Sequence, residues 1–310
     1  MLPSELLRKK FGFSQPLLSY YSQTCPNRYK KYKIDKRSKG YRWIAQPSKE
    51  LKVIQRFLVE EFLSPNFQIH KCAMAYQRDI SILDNARQHL SNAYLLKMDF
   101  SNFFPSIKAT DLSAHLLNKQ ILKSSQQSEI ELLSNFLFMR EEKELILSIG
   151  APSSPIISNA VMFDFDVLVA ELCEERGVVY TRYSDDLTFS TKIKDNLFDL
   201  PDLIGHILED ISSPRIRLNE EKTVFSSKRF NRHVTGVTIT NDAKASLGRA
   251  LKRSIRTQVF LTGKEKHSYK RLWKLKGLLA HAHHIEPDFV VKLNAKYPKE
   301  MKRLKSLKSK

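Results

Sequence analysis

Three acids at the ends of apolar, strand-like runs constrain this chain more than any other feature. Tyr94-Leu95-Leu96-Lys97-Met98-Asp99-Phe100 is short, nearly all apolar and followed by polar residues, which predicts a buried strand ending at an aspartate. The β-rich runs 178–183 and 187–190 flank Ser184-Asp185-Asp186, which predicts a hairpin whose turn presents two adjacent carboxylates. If strand and hairpin are neighbours in one antiparallel sheet, three carboxylates converge on a small volume and repel unless divalent cations neutralise them. Such a cluster suits two-metal phosphoryl transfer with two Mg²⁺ ions, which favour carboxylate and phosphate oxygens. Adjacent acids in a loop are commonly only a solvated turn, so the rest of the chain has to decide.

Around these runs the patterns alternate. Leu51, Ile54, Phe57, Leu58 and Phe62 recur at helical spacing and predict an amphipathic helix over 49–63, closed by Ser64-Pro65. A long helix is predicted over 155–176, with a stop at Gly177. A strand pair is predicted at 222–225 and 233–240, where Gly236 marks a bulge or bend. From Ala245 the pattern is helical and basic, with Leu272, Leu275, Leu278 and Leu279 on one face. There is no repeat at solenoid periods, and the only biased tract is the lysine-rich end after Met301.

The net charge of +19 over 310 residues points to a polyanionic partner. Its distribution is uneven. Residues 1–40 carry ten basic and two acidic side chains, and 244–310 carry nineteen basic and four acidic, so 41–243 is slightly acidic. That layout suits an enzyme that grips a polyanion at both ends and keeps carboxylates in the centre. Cys25, Cys72 and Cys173 are dispersed, which argues against a disulfide framework or a thiolate zinc site and for a reducing cytoplasmic location. The N-terminus lacks the apolar run of a signal peptide, and no stretch is apolar for long enough to span a membrane, so no membrane partner is expected.

In order along the chain stand Tyr41-Arg42-Trp43-Ile44-Ala45-Gln46-Pro47 with Leu51-Lys52; Asn85-Ala86-Arg87-Gln88-His89; Asp99-Phe100-Ser101-Asn102-Phe103-Phe104-Pro105-Ser106-Ile107; Gly150-Ala151-Pro152-Ser153-Ser154-Pro155 with Ser158-Asn159; Tyr183-Ser184-Asp185-Asp186-Leu187; Leu218-Asn219 with Lys222-Thr223; and Val234-Thr235-Gly236. Across almost its whole length the chain thereby resembles the reverse transcriptases, and among them the retron reverse transcriptases of bacteria, to which the N-A-x-x-H and V-T-G blocks point. The resemblance implies an α+β right-hand polymerase: fingers over 1–93 with 111–148 returning to them, a palm of antiparallel sheet and packed helices over 94–243, and a basic helical thumb over 244–310.

Carried over by position, the resemblance makes Asp99, Asp185 and Asp186 the metal ligands, with the Phe100 carbonyl as a further one. Phe104 matches the ring that collides with a ribose 2′-OH, Arg42 the fingers arginine that holds the incoming triphosphate, and Gly150 the close backbone approach under the nascent pair. Which of Lys33, Lys36 and Lys39 assists Arg42 is open. Lys222 matches a lysine proposed to protonate departing pyrophosphate, a task suited to a general acid. Plainer roles compete: a core aromatic at Phe104, a phosphate-backbone contact at Arg42, a surface ion pair at Lys222. Three departures stand out. Ser148-Ile149 replaces a Pro-Gln common in relatives, Ser184 replaces the usual alanine of the Y-x-D-D box, and Asn102 stands where an acid is common.

Asn85, His89, Val234, Thr235 and Gly236 are implied contacts with a structured RNA, although Asn85 and His89 could instead cap a helix and fill a polar core niche. The cationic block 244–276 reads as a helix pair along a duplex backbone. His281, His283 and His284 read as a surface helix rather than a metal site, and Asp164 and Asp166 as exposed or pairing acids. The resemblance further implies dNTP substrates, one noncoding RNA (msr-msd) as template and primer, branched multicopy single-stranded DNA (msDNA) as the RNA–DNA hybrid product, antiphage defence with an effector protein, and a host RNase H for template removal. Another bacterial reverse transcriptase, of the diversity-generating or abortive-infection type, and an RNA-binding scaffold with a vestigial polymerase fold are the competing readings.

Overall fold

The computed structural model describes residues 1–35, 40–264 and 268–307. Lys36 and Lys39 lie outside the described residues. The chain divides into two compact units, one of residues 1–78, 97–187 and 198–223, the other of residues 79–96, 188–197 and 224–310.

In the first unit, strands β1 (Tyr29–Asp35) and β2 (Tyr41–Pro47) form an antiparallel ribbon, from Tyr29 opposite Pro47 to Asp35 opposite Tyr41. Its free end is solvated and its base is docked, with Ala45 N donating to Ile149 O at 3.0 Å and Ala45 buried beside Met139 and Ile146. The helix Lys49–Leu58 begins where Ser48 Oγ accepts from Leu51 N, and it buries Leu51, Ile54 and Leu58. The single helix predicted over 49–63 changes character at its end. Val59–Leu63 is a π-helical turn running into the short helix Ser64–Asn66, and the wider turn lets the adjacent Phe62 and Leu63 both face inward.

The central sheet grows from β3 (Tyr94–Ser101), whose apolar run is almost wholly buried. A small hairpin follows, β4 (Met139–Glu141) with β5 (Glu144–Ile146). The helix predicted over 155–176 is two helices, Ser154–Val161 and Phe163–Glu175, broken at Met162 with ψ near 3°. The break serves two different buried faces: the first helix turns Ser154, Ser158 and Asn159 inward, the second Phe165, Asp166, Val169 and Cys173. Gly177 ends the second helix in the left-handed conformation that a Cβ disfavours, and Val178 N returns to Cys173 O at 2.8 Å. The predicted hairpin then forms as β6 (Val179–Tyr183) and β7 (Asp186–Thr191), and β8 (Arg217–Leu218) pairs antiparallel with β3 through Phe100–Leu218 and Ser101–Arg217. The hydrogen-bonded order is β6-β7-β3-β8.

The second unit contains β9 (Val224–Ser227), β10 (Arg232–Val234), β11 (Val237–Ile239) and β12 (Ala245–Ser246). The strand predicted over 233–240 is a hairpin, because Thr235 and Gly236 both take positive φ and turn β10 back onto β11. Residue 222, predicted as strand, ends a 3-10 turn instead. The helices Arg249–Thr262, Tyr269–Ile285, Pro287–Lys296 and Pro298–Lys305 share one apolar core with the sheet, drawn from Val234, Val237, Ile255, Val259, Leu275 and Leu293 among others. Each such side chain contributes about 1.5–3 kcal/mol by leaving water. Their cations, including Arg249, Arg253, Arg256, Lys270, Arg271 and Lys274, stay exposed. No helix among the described residues is long and apolar enough to cross a membrane.

Candidate active site

The sheet order puts the end of β3 beside the β6–β7 turn, and the backbone pins them together. Phe100 N donates to Asp185 O at 3.0 Å, one residue from Asp99. Asp99 is 7% exposed; its carbonyl accepts from Asn219 N at 2.7 Å and its Oδ1 from Lys222 Nζ at 2.7 Å. Ser184, at φ +63°, turns the chain so that Asp185 leaves the turn and Asp186 opens β7.

The three carboxylates feel one another. Burial first, then the negative charges of Asp185 and Asp99, push the Asp186 carboxyl up to about 6. Burial and Asp99 likewise raise Asp185, against the opposing pull of Arg42 and Lys222. Among the described residues no three acidic, histidine or cysteine side chains are arranged to hold a metal ion as they stand. The donor chemistry nevertheless fits a hard divalent cation: oxygen donors only, mutual repulsion, and a lysine ammonium resting on Asp99 as a stand-in positive charge.

Phe103 and Phe104 lie in different surroundings. Phe103 is 3% exposed and stacks on Phe100 at 5.5 Å, whereas Phe104 is half-buried and lines a cavity of about 340 Å³ with Tyr76, Gly150, Pro155, Lys52 and Arg56. Asn102, left-handed at φ +47°, starts the short helix Phe103–Ser106 that separates them. Gly150 lies at φ +129°, and a Cβ there would stand 3.1 Å from Ala45 O, so glycine is demanded twice. Arg42 is exposed on β2; burial raises both Asp185 and Tyr76, and the positive charge of Arg42 opposes that rise at each. Lys33 instead lies over the rings of Tyr41 and Trp43, at 5.5 and 4.8 Å.

Behind the turn is a network that sequence reasoning missed. Arg182 has no exposed side-chain surface and grips the equally buried Asp166 with both arms of its fork, Nε to Oδ1 at 2.8 Å and Nη2 to Oδ2 at 2.6 Å. Its Nη1 reaches Asn159 Oδ1 at 3.1 Å and Ser184 O at 3.2 Å, and Tyr180 donates to Asp166 at 2.9 Å. Asp164, two residues from Asp166, is exposed and pairs with Lys119. Alternating buried and exposed acids on one helix were the available signal, but nothing local says which acid faces inward.

The residues expected to contact RNA belong to the second unit, and the structure brings them together mostly in its interior. Asn85, His89 and Val234 are fully buried, the placement that the polar-core alternative gives Asn85 and His89. Asn85 Nδ2 reaches Thr235 Oγ1 at 3.4 Å, Thr235 Oγ1 donates to Ile82 O at 3.2 Å, and His89 Nδ1 meets Ser190 Oγ at 2.7 Å. Thr235 is half-buried and Gly236 exposed, so the β10–β11 turn is where this group meets solvent.

Residues 34–239 match the family described as reverse transcriptase (RNA-dependent DNA polymerase). The chain is 45% identical to the retron Ec83 reverse transcriptase of Escherichia coli over 87% of this chain and 86% of that protein, and 32% identical to the retron Ec73 reverse transcriptase of Escherichia coli over 100% and 98%. Among solved structures, apo telomerase from Candida tropicalis shares the fold with a TM-score of 0.51 at 12% identity, covering 89% of this chain and 58% of that one. With the family match over most of its length and relatives this similar across nearly their whole extent, the chain belongs to the retron reverse transcriptases, RNA-directed DNA polymerases of the α+β polymerase fold.

Proposed function

We propose that this enzyme copies part of one structured noncoding RNA (msr-msd) into DNA, extending a primer hydroxyl within that RNA to leave branched msDNA. The observation that carries the reading is the convergence of Asp99, Asp185 and Asp186, with Asp185 and Asp186 raised by burial and by neighbouring carboxylates and Asp99 paired with Lys222. These aspartates, with the Phe100 carbonyl, would hold two Mg²⁺ ions, which when bound supply charge stabilisation to the attacking and departing oxygens. Arg42 holds the triphosphate of the incoming dNTP with its planar fork. Phe104 excludes the ribose 2′-OH from the cavity it lines, and Gly150 lets the backbone come close to the base pair. Lys222 carries the proton that the departing pyrophosphate takes up.

Fingers over 1–93 and 111–148, a palm over 94–243 and a thumb over 244–310 are the division of labour this reading assigns. The exposed cations of the helices Arg249–Thr262 and Tyr269–Ile285 bind duplex phosphates, which position without specifying. Recognition of the RNA falls to the Thr235–Gly236 turn, with Asn85, His89 and Val234 as its interior support. The product serves antiphage defence in the cytoplasm with an effector protein, and a host RNase H trims the template.

The test is expression of the chain with its native upstream DNA, followed by extraction of nucleic acid. A short DNA released from RNA only by a debranching enzyme, and absent in the Asp185→Asn/Asp186→Asn double variant, is the expected result. Unbranched DNA made from any primed RNA would leave a reverse transcriptase of another kind, and no synthesis on either template would favour the scaffold.

A further inference from the structure

Tyr76 lies in an irregular loop, yet φ at +63° puts it in a conformation that bulky side chains rarely adopt. Strain of this kind persists only where the surroundings over-determine it, and it gathers at functional sites. Here the surroundings do so. Arg182 N donates to Cys72 O at 2.7 Å, Met74 N to Arg182 O at 2.8 Å, and Asn159 Nδ2 to Ala75 O at 2.9 Å. The same Arg182 guanidinium that holds Asn159 also holds Ser184 O. One buried arginine, locked on Asp166, therefore sets both the loop that carries Tyr76 and the turn that carries Asp185.

The Tyr76 side chain bridges the two. Its hydroxyl donates to Ser184 Oγ at 3.0 Å, and its ring centroid stands 6.4 Å from that of Phe104, inclined at 59°. Tyr76, 52% exposed as a residue, also lines the cavity shared with Gly150 and Pro155. Ser184 is itself left-handed at +63°, so bonds from outside the turn determine where the next carboxylate points. The serine that replaces the usual alanine at this position supplies the acceptor.

We infer that Tyr76 is a positioning and sugar-selecting residue of the nucleotide pocket: its hydroxyl fixes Ser184, and through it Asp185, while its ring backs Phe104. The inference rests on the reading of Asp185 as a metal ligand and Phe104 as the sugar gate. Without the Tyr76 ring, Phe104 gains room to turn away from a ribose 2′-OH. Without the hydroxyl, the gate stays in place and only the turn loosens.

Steady-state incorporation of a dNTP and its matching rNTP on a primed RNA template separates these effects. Tyr76→Phe and Ser184→Ala are each expected to lower kcat for dNTP about fivefold, with KM within about twofold, and the double variant to be no worse than either single because all remove one bond. Tyr76→Ala is expected to raise the rNTP-to-dNTP ratio of kcat/KM about tenfold, a ratio Tyr76→Phe leaves alone. Multiplying effects of the two single variants, or wild-type rates in both, would overturn the positioning role, and an unchanged sugar ratio in Tyr76→Ala would overturn the selecting role. If Tyr76→Ala unfolds, Tyr76→Leu takes its place. Asp185→Asn and Phe104→Val run alongside: an active Asp185→Asn, or a Phe104→Val with unaltered sugar selection, defeats the site reading itself, whereas an inactive Asp185→Asn beside wild-type Tyr76→Phe and Ser184→Ala defeats this inference alone.

Discussion

Each unit is organised around a buried arginine, and the two are satisfied in opposite ways. Arg182, in the first unit, meets a carboxylate through a two-pronged fork and uses its remaining nitrogen on Asn159 and Ser184. Arg232, in the second unit, is 1% exposed and donates to two main-chain carbonyls, Asn92 O and Thr240 O, the latter at 2.8 Å, while among the described residues its Nε finds no partner. Burial accordingly makes Arg232 easier to deprotonate than an ordinary arginine. A charge paired with a charge holds the Ser184–Asp185 turn; a charge spread over carbonyls staples loops around a hydrophobic core. The lesson is that rigidity of a directed kind is concentrated behind the Asp185 turn.

If that concentration serves chemistry, the largest effect lies at the turn itself. Asp185→Asn is expected to reduce DNA synthesis by at least about 10³-fold while the melting temperature stays near that of the parent, which assay and calorimetry on one preparation would check. The arginines give the next largest contrast. Arg182→Met strands a buried carboxylate and is expected to cost about 3–5 kcal/mol in urea unfolding, with Arg182→Met/Asp166→Leu recovering much of it. Arg232→Met leaves only carbonyls unpaired and should cost about 1–3 kcal/mol. Equal costs for the two would break the comparison.

Acid sharpens it further. Burial lowers His89, in the second unit, to about 3, and burial with the nearby Lys119 charge lowers His115, in the first, to about 4. Both are folded in the neutral form, so the stability they support is fully present above the ordinary histidine value near 6.5 and falls as pH drops toward those lowered values. For the fully buried His89 the slope is about 1.4 kcal/mol per pH unit across that window, and His89→Gln should flatten it in unfolding measured between pH 6.5 and 4. The smallest effect is expected at Asp164. Its pair with Lys119 is solvated, and Asp164→Ala should change stability by no more than about 0.5 kcal/mol, beside the severe loss from the same change at Asp166.

The strands β3, β6 and β7, the two-aspartate turn between the last two, the acid near the end of β3 and the family were legible in the sequence because each is written in local pattern: apolar runs, β-rich segments, and motifs a few residues long. The charge map belongs to the same class, since a cationic helix needs no partner within the chain to be recognised. Which acid of Asp164 and Asp166 faces inward, why a tyrosine at position 76 tolerates a left-handed backbone, and that Asn85 reaches Thr235 while His89 meets Ser190 in the interior were decided only by tertiary structure. Those outcomes depend on partners far along the chain, as Asn159 does on Ala75 and Asn85 on Thr235. A side chain's burial and hydrogen bonds are properties of the packed neighbours, and no spacing rule along one segment contains them.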